Sequence, residues 1–166
     1  MKTGLYTGRF QPFHLGHLSA VQQALKKVDK LYIAIGSSQY AHEEYNPFTA
    51  EERTKMIKLC LEENDLTDKC EVFHVPDIHD NEKWPTHVRE IVPAFDTVFI
   101  GNNGLVKELF EKYDEAQVTE IEHEVDVSAT KIRCAIVRGL DWEKHVSPKI
   151  AKYIREIDGV ERIKQL

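Results

Sequence analysis

Two histidines three residues apart, His14 and His17, lie close to Arg9 near the start of the chain. On a helix, residues at this spacing share one face. Two imidazoles and a guanidinium beside a helix N-terminus, where backbone N–H groups lack partners, can bind a polyphosphate and neutralise charge as it shifts. The alternative interpretation is that His14 only caps the helix while His17 packs against a sheet.

A strand, a turn and a helix are expected to position these side chains. Leu5–Thr7 consists of strand-forming residues, and apolar residues recur at helical spacing over residues 18–25. Between them, Gly8 is expected to allow a close turn, and Gly16 to let a ligand approach the first helical turn. In an open parallel sheet such a turn lies outside the carboxyl end of a strand, where these folds bind ligands.

The same alternation of apolar strand segments and helical patterns continues along the chain. Strands are predicted at residues 5–7, 30–35, 70–75, 97–100 and 117–121. Thr49 and Glu52 fit a capping box at the start of the second helix, and the C-terminal region from Trp142 onward is predicted to be mostly helical. The pattern predicts an α/β fold with a Rossmann-like, mostly parallel sheet, helices on both faces and a helical C-terminal region. Without linkers or low-complexity tracts, residues 1–166 are expected to form a single domain.

Composition limits the classes of function. The formal net charge of −6 argues against a large nucleic-acid surface, and no apolar run is long enough to span a membrane. The N-terminus has no signal pattern, so a cytoplasmic protein is expected. Cys60, Cys70 and Cys134 form neither a disulfide framework nor a zinc pattern and are predicted to be buried free thiols.

A second candidate anion site follows the last predicted strand. Ser128 is a good N-cap residue, and Thr130 and Arg133 lie three residues apart near the start of a predicted helix. A hydroxyl, backbone N–H groups and a guanidinium at that position can bind phosphate. A capped helix that happens to carry an arginine would show the same pattern.

Two further loops carry candidate ligand contacts. Trp84, with Asn81 before it, follows the third strand, where an indole can stack on a flat, positively charged ring. From residue type alone, a packing role for the tryptophan is equally well supported. Asn103 follows the fourth strand and is a candidate contact for ribose or phosphate, although turn chemistry also favours asparagine there.

These motifs together resemble those of a known family. The stretch Gly8–His17, Gly-Arg-Phe-Gln-Pro-Phe-His-Leu-Gly-His, resembles the His-x-Gly-His signature of the nucleotidyltransferase superfamily, and more narrowly that of archaeal-type nicotinamide mononucleotide adenylyltransferases. Ser128–Arg133 resembles the Ser-x-Thr-x-x-Arg motif that closes the active site in this superfamily. Asn81 and Trp84 resemble the Asn-x-x-Trp that holds the nicotinamide. The resemblance covers nearly the full length of the chain.

The resemblance implies an enzyme that transfers AMP from ATP to nicotinamide mononucleotide (NMN), giving NAD and pyrophosphate. It implies catalytic roles for His14, His17, Thr130 and Arg133. It also implies Mg²⁺ held mainly by the triphosphate and water, no dedicated metal ligands in the protein, and a homo-oligomer. The remaining nucleotide-binding residues that it implies are Gly8, Arg9, Phe10, Phe13, Gly16, Arg53, Asn81, Trp84, Asn103 and Ser128.

Several alternatives remain open at this stage. The acceptor could instead be nicotinate mononucleotide, FMN or phosphopantetheine, or the chain could be a nucleotide-sensing module without turnover. Arg53 resembles a family arginine, but it could be a surface residue of the second helix. The chain also departs from the family pattern at Tyr45, Glu51 and Ala129, where the family commonly has a basic residue, glycine and glycine.

Overall fold

A five-stranded parallel sheet forms the centre of the molecule, for which a computed structural model describes all of residues 1–166. In spatial order the strands are β3, β2, β1, β4 and β5, and every neighbouring pair is parallel. The predicted α/β fold with a parallel sheet is confirmed. The strands are β1 (Thr3–Gly8), β2 (Lys30–Gly36), β3 (Cys70–Val75), β4 (Thr97–Ile100) and β5 (Gln117–Glu120).

Seven α-helices follow or connect these strands, and the last two confirm the predicted helical region from Trp142 onward. Two short 3₁₀ turns, Thr67–Lys69 and Glu143–His145, lie between longer elements. The helices are α1 (Leu15–Leu25), α2 (Ala50–Glu63), α3 (Trp84–Ile91), α4 (Gly104–Tyr113), α5 (Ala129–Val137), α6 (Pro148–Glu156) and α7 (Gly159–Gln165).

Both faces of the sheet are buried, as continuous apolar strands predict. Along β2, Ile33 belongs to a core cluster with residues of α1, α2, α5, α6 and α7, whereas Tyr32 and Ala34 belong to a cluster with residues of α3 and α4. Alternate side chains of a strand point to opposite faces, so one strand supplies both clusters. Each fully buried aliphatic side chain such as Ile33 contributes roughly 1.5–3 kcal/mol of burial free energy.

The helix starts confirm the predicted local signals. Thr49 Oγ1 accepts from the Glu52 N–H at 3.0 Å, and Glu52 Oε2 accepts from the Thr49 N–H at 2.9 Å, which completes the capping box of α2. Ser128 caps α5, since its Oγ accepts from the Lys131 N–H at 3.1 Å. These bonds join residues three apart in the chain, which is why the sequence alone could predict them.

Two expectations need correction. Trp84 is the first residue of α3 and not part of the preceding loop, because Pro85 has a backbone φ suited to the first helical turn. Of the three thiols, only Cys60 is buried; Cys70 is half-buried and Cys134 is exposed on α5, so burial of all three is wrong. None of the helices combines the length and the apolar character needed to cross a bilayer.

Candidate active site

Two cavities open beyond the carboxyl ends of the strands, and Arg9 lines both of them. The first, of about 250 Å³, contains the two predicted anion-binding motifs. The second, of about 200 Å³, contains the predicted contacts for a flat ring. Of the predicted site residues, the first cavity has Arg9, Phe10, His14, Gly16, His17, Ser128, Thr130 and Arg133, and the second has Gly8, Arg9, Asn81, Trp84 and Asn103.

His14 and His17 are held as a stacked pair in the first cavity, with ring centroids 3.6 Å apart. His14 Nδ1 accepts from the backbone N–H groups of Gly16 at 3.0 Å and His17 at 3.3 Å, and His17 Nδ1 accepts from the His14 N–H at 3.1 Å. Two of the N–H groups at the start of α1 are thus already paired. The expectation that they are unpaired and available to a phosphate is therefore wrong.

The imidazole rings nevertheless retain a donor each. Because Nδ1 of both rings accepts a backbone N–H, the proton of the neutral ring sits on Nε2, and Nε2 has no partner within the protein. Burial, and secondarily the charge of His145, lowers the pKa of His14 to about 4. Burial, and then His14, holds the pKa of His17 well below its ordinary value. At neutral pH the free protein therefore offers two uncharged N–H donors to this cavity.

Gly16 is required by the histidine pair itself. A Cβ at this position would lie 2.9 Å from His14 Cε1 and 3.2 Å from Val127 Cγ1. Gly8 has a similar constraint, since a Cβ there would lie 2.9 Å from Phe10 Cε1. Both missing side chains make room for a ring of the motif, and both glycines also line a cavity, Gly16 the first and Gly8 the second.

Arg133 connects the two anion-binding motifs. Its Nη1 donates to the Gln11 carbonyl at 2.8 Å, and its Nη2 lies 3.5 Å from Thr130 Oγ1. The side chain is 9% exposed, and burial followed by the charge of Arg9 lowers its pKa. The guanidinium reaches the cavity wall while fixing the backbone of the loop between β1 and α1.

Arg53 stabilises the same loop by a hydrogen bond to its backbone. The interpretation of Arg53 as a surface residue is wrong. It is fully buried, and its pKa is lowered to about 10, chiefly by burial. Its guanidinium lines neither cavity. Five backbone carbonyls accept its N–H groups, those of Arg9, Gly36, Ser37, Tyr40 and Thr49, at 3.0–3.3 Å.

Phe13 also lies outside both cavities. It is fully buried and packs against Phe10 and His17, with ring centroids 5.4 Å and 5.2 Å away. Phe10 meets His17 edge-on at 4.8 Å. The aromatic residues of the motif therefore pack around the His17 ring and fix its position. Because they bury the ring, they also lower its pKa.

In the second cavity, the packing interpretation of Trp84 is confirmed, and its ring-stacking role stays a prediction. Its ring packs edge-on against Phe110 at 6.0 Å, yet the residue also lines the cavity. Asn81 is exposed, and its carbonyl accepts the Trp84 N–H at 3.2 Å. Asn103 is the N-cap of α4, where its Oδ1 accepts from the Val106 N–H.

Sequence reasoning missed one wall of the first cavity. The loop after β5 supplies five consecutive residues, 121–125, and Gly101 and Asn102 add the end of β4. The polar triplet Glu122-His123-Glu124 directly after a strand was the available signal, because polar residues at carboxyl ends of parallel strands meet at one edge. His123 Nε2 and Asn102 Oδ1 are in close contact across this wall.

Known proteins are similar to this chain in sequence and in fold. The cytidylyltransferase-like family matches residues 5–135. The nicotinamide-nucleotide adenylyltransferase of Thermococcus kodakarensis is 46% identical over 100% of this chain and 89% of its own length. That of Archaeoglobus fulgidus is 41% identical over 97% of this chain and 95% of its own. The chain belongs to the cytidylyltransferase-like family. Within it, the chain is a member of the archaeal nicotinamide-nucleotide adenylyltransferase group, which confirms the resemblance.

Family membership agrees with the three-dimensional comparison. The crystal structure of a bifunctional NMN adenylyltransferase/ADP ribose pyrophosphatase from Francisella tularensis, complexed with AMP and a Mn ion, has a TM-score of 0.78 and 22% identity. The match covers 99% of this chain and 52% of that one, so this chain spans about half the length of the bifunctional protein. At this identity the likeness shows the fold, and it is the fold expected for the family.

Proposed function

We propose that this chain transfers AMP from ATP to NMN, giving NAD and pyrophosphate. The observation that carries the proposal is the sharing of Arg9 by two cavities, one with His14, His17 and Arg133, the other with Trp84. A triphosphate in the first cavity and a mononucleotide in the second would present their phosphates to the same guanidinium. The full-length relatives named above support the same reaction.

In this reaction an oxygen of the NMN phosphate attacks the α-phosphorus of ATP, a new P–O bond forms, and the bond to the β-phosphate oxygen breaks as pyrophosphate leaves. The nucleophile is already an anion near neutral pH, so the site needs no general base. Bringing two polyanions together and stabilising the charge that moves to the leaving group are the main tasks. Preorganised donors accomplish both without reorganisation during the reaction.

Each residue of the first cavity has a part in this scheme. The Nε2–H groups of His14 and His17 donate to phosphate oxygens as neutral donors. Arg133 supplies positive charge at a position fixed by the Gln11 carbonyl, and Thr130 lies beside it. Because both imidazoles are fixed by their Nδ1 atoms, they can hold the phosphate oxygens without losing rotamer freedom on binding.

Mg²⁺ is proposed to enter with ATP as part of the substrate. Magnesium needs about six oxygen ligands in octahedral geometry and usually retains water. The structure has no group of three or more His, Cys, Asp or Glu side chains that could hold an ion. The donor set therefore fits an ion carried by phosphate oxygens and water, in which role it would offset phosphate charge.

The second cavity is proposed to take the pyridine mononucleotide. Trp84 offers an indole face to a positively charged nicotinamide, an interaction worth roughly 0.5–2 kcal/mol depending on desolvation. Asn81 and Asn103 offer amide groups at its rim. We further propose self-association, as the resemblance implies; two exposed apolar side chains, Val137 at the end of α5 and Leu140 just after it, are candidate contacts.

The test is pyrophosphate release from MgATP, with NMN, nicotinate mononucleotide, FMN and phosphopantetheine as parallel acceptors. Release with NMN and formation of NAD would support the proposal. Release only with FMN or phosphopantetheine would retain AMP transfer and overturn the assignment of the second cavity. ATP binding without release for any acceptor would favour a sensor. Light scattering of the protein as it elutes from a size-exclusion column would test self-association, and a monomeric mass would contradict it.

A further inference from the structure

Three glutamine side chains make the same unusual contact with distant loops. In each, the side-chain Oε1 accepts the backbone N–H of one residue while Nε2 donates to the C=O of that same residue. We call this pair of bonds a glutamine clamp. Gln11 clamps Phe48 at 2.9 and 3.1 Å, Gln23 clamps Glu122 at 3.0 and 3.0 Å, and Gln39 clamps Asp77 at 2.9 and 2.8 Å.

A glutamine clamp supplies the two backbone hydrogen bonds that a neighbouring strand would supply. A loop beyond the edge of a sheet has no ladder partner, so its backbone groups would otherwise turn to water and the loop would sample several conformations. A primary amide has a donor and an acceptor at the spacing of a peptide group. It can therefore fix one residue of such a loop in both position and orientation.

Gln23 fixes the wall of the first cavity that residues 121–125 form. It lies on α1, 99 residues from Glu122 in the chain, and the clamped residue is in the middle of the wall formed by residues 121–125. The second N–H of its amide donates to Ser19 Oγ at 3.1 Å, and Ser19 in turn donates to Glu124 Oε2 at 2.8 Å. Two residues of the wall are thus tied to α1, the helix that carries His17.

Gln39 fixes the second cavity in the same way. It lies in the loop after β2 and clamps Asp77, which lines the cavity together with Asn81 and Trp84. The neighbouring Tyr40 hydroxyl lies 2.9 Å from His79 Nε2, a second bond between the same two loops. The approach of Trp84 to the cavity therefore depends on a loop that Gln39 aligns.

We propose that Gln23 and Gln39 are positioning residues that act on different substrates, Gln23 on the nucleotide of the first cavity and Gln39 on that of the second. The assignment of ATP and NMN to these cavities rests on the proposed function. Neither glutamine needs to touch a substrate, because each acts through the loop it clamps. The effects of the two glutamines should therefore separate by substrate.

The experiment compares Gln23→Ala and Gln39→Ala in the full chain. Gln23→Ala is expected to raise the KM for ATP about tenfold with the KM for NMN nearly unchanged, and Gln39→Ala to do the reverse. Hydrogen exchange of the ligand-free protein should quicken at residues 121–125 in the first variant and at residues 77–81 in the second. Circular dichroism and thermal unfolding verify that each variant is folded.

Two further variants make the comparison sharper. Gln22→Ala alters the exposed neighbour of Gln23 on α1, which makes no side-chain hydrogen bond, and should leave both KM values and the exchange rates unchanged. Gln39→Glu retains the acceptor for the Asp77 N–H but faces the carbonyl with a carboxylate. It should raise the KM for NMN at least as much as Gln39→Ala does.

Other results would overturn the proposal. Equal changes in both KM values for either variant would mean general destabilisation, and unchanged exchange in the clamped loops would mean that the clamps do not order them. Absence of turnover in the unmodified chain would instead contradict the proposed function. In that case the exchange measurement, which needs no substrate, still decides whether each glutamine orders its loop.

Discussion

His14 and His17 form a reciprocal capping box at the start of α1. The backbone N–H of His17 donates to His14 Nδ1 at 3.3 Å, the backbone N–H of His14 donates to His17 Nδ1 at 3.1 Å, and the two rings stack with an angle of 21° between their planes. The structural role of each imidazole uses Nδ1, and the phosphate role proposed here uses Nε2. Capping and ligand binding are therefore compatible interpretations of the same side chains.

Replacement of His14 by Asn should separate the two roles. Asparagine is a good N-cap residue, and its Oδ1 can take the place of His14 Nδ1, but it has no atom that replaces Nε2. We expect thermal stability close to that of the unmodified chain and a fall of about 10²–10³-fold in kcat. Steady-state pyrophosphate release with a thermal melt on the same sample measures both.

His14→Ala is the comparison for that variant. It removes the cap as well as Nε2, so it should lose about 1 kcal/mol of stability in addition to activity. Nearly full activity in a folded His14→Asn protein would contradict the phosphate role of His14.

Gly16→Ala should damage the site without removing any functional group. The new methyl would meet the His14 ring at 2.9–3.0 Å and Val127 at 3.2 Å, so the His14 ring or the loop at Val127 must shift. We expect a loss of about 1–3 kcal/mol in unfolding free energy and a fall in kcat larger than the rise in either KM. Urea unfolding and steady-state kinetics are the measurements. Gly101→Ala, where a Cβ meets nothing within 4 Å, is the steric control for the unfolding measurement.

The pKa of His14 predicts how stability depends on pH. Its folded value of about 4 lies below the ordinary 6.5, so between these values the unfolded chain binds a proton that the folded chain does not. Stability is therefore retained above about pH 6.5 and is lost as the pH falls toward 4. For His14 alone, the unfolding free energy should be about 2 kcal/mol lower at about pH 5 than at about pH 7.

His17 should add to this loss, since its pKa is also lowered. Urea titrations of the unmodified chain and of His14→Asn test the prediction, because the variant lacks the titrating ring at position 14. Since the two proteins are expected to be about equally stable near pH 7, His14→Asn should become the more stable protein as the pH falls toward about 5. A pH-independent difference would mean that the His14 ring titrates normally in the folded protein.

Replacement of Trp84 should change the KM for one substrate and not for the other. Trp84→Phe retains an aromatic ring against Phe110 but offers a smaller, weaker π-face to the second cavity. We expect the KM for NMN to rise roughly threefold to tenfold and the KM for ATP to stay within error of its original value. Trp84→Ala should raise the KM for NMN further and also lower stability, since a ring that packs against Phe110 is lost.

Equal effects on both substrates would assign Trp84 to packing alone. A larger effect on nicotinate mononucleotide than on NMN would contradict the proposed contact with a positively charged nicotinamide ring.

The sequence was sufficient for most features that depend on neighbours in the chain, the start of α3 at Trp84 being an exception. The alternation of apolar strands with helices predicted the parallel sheet, because both faces of such a sheet must be covered. The caps at Thr49 and Ser128 were predictable because each bond spans three residues. The motif at residues 8–17 was sufficient to predict the family, since its residue types and order are specific.

Only the tertiary structure decided which atoms of those residues remain for a ligand. The carbonyls that Arg53 binds include those of Arg9 and Gly36, and Gln23 clamps Glu122 at a separation of 99 residues. No local pattern marks such pairs, because they depend on how separate βα units meet at the sheet edge. The same holds for Arg9, which lies between two cavities only because the loops after all five strands converge there.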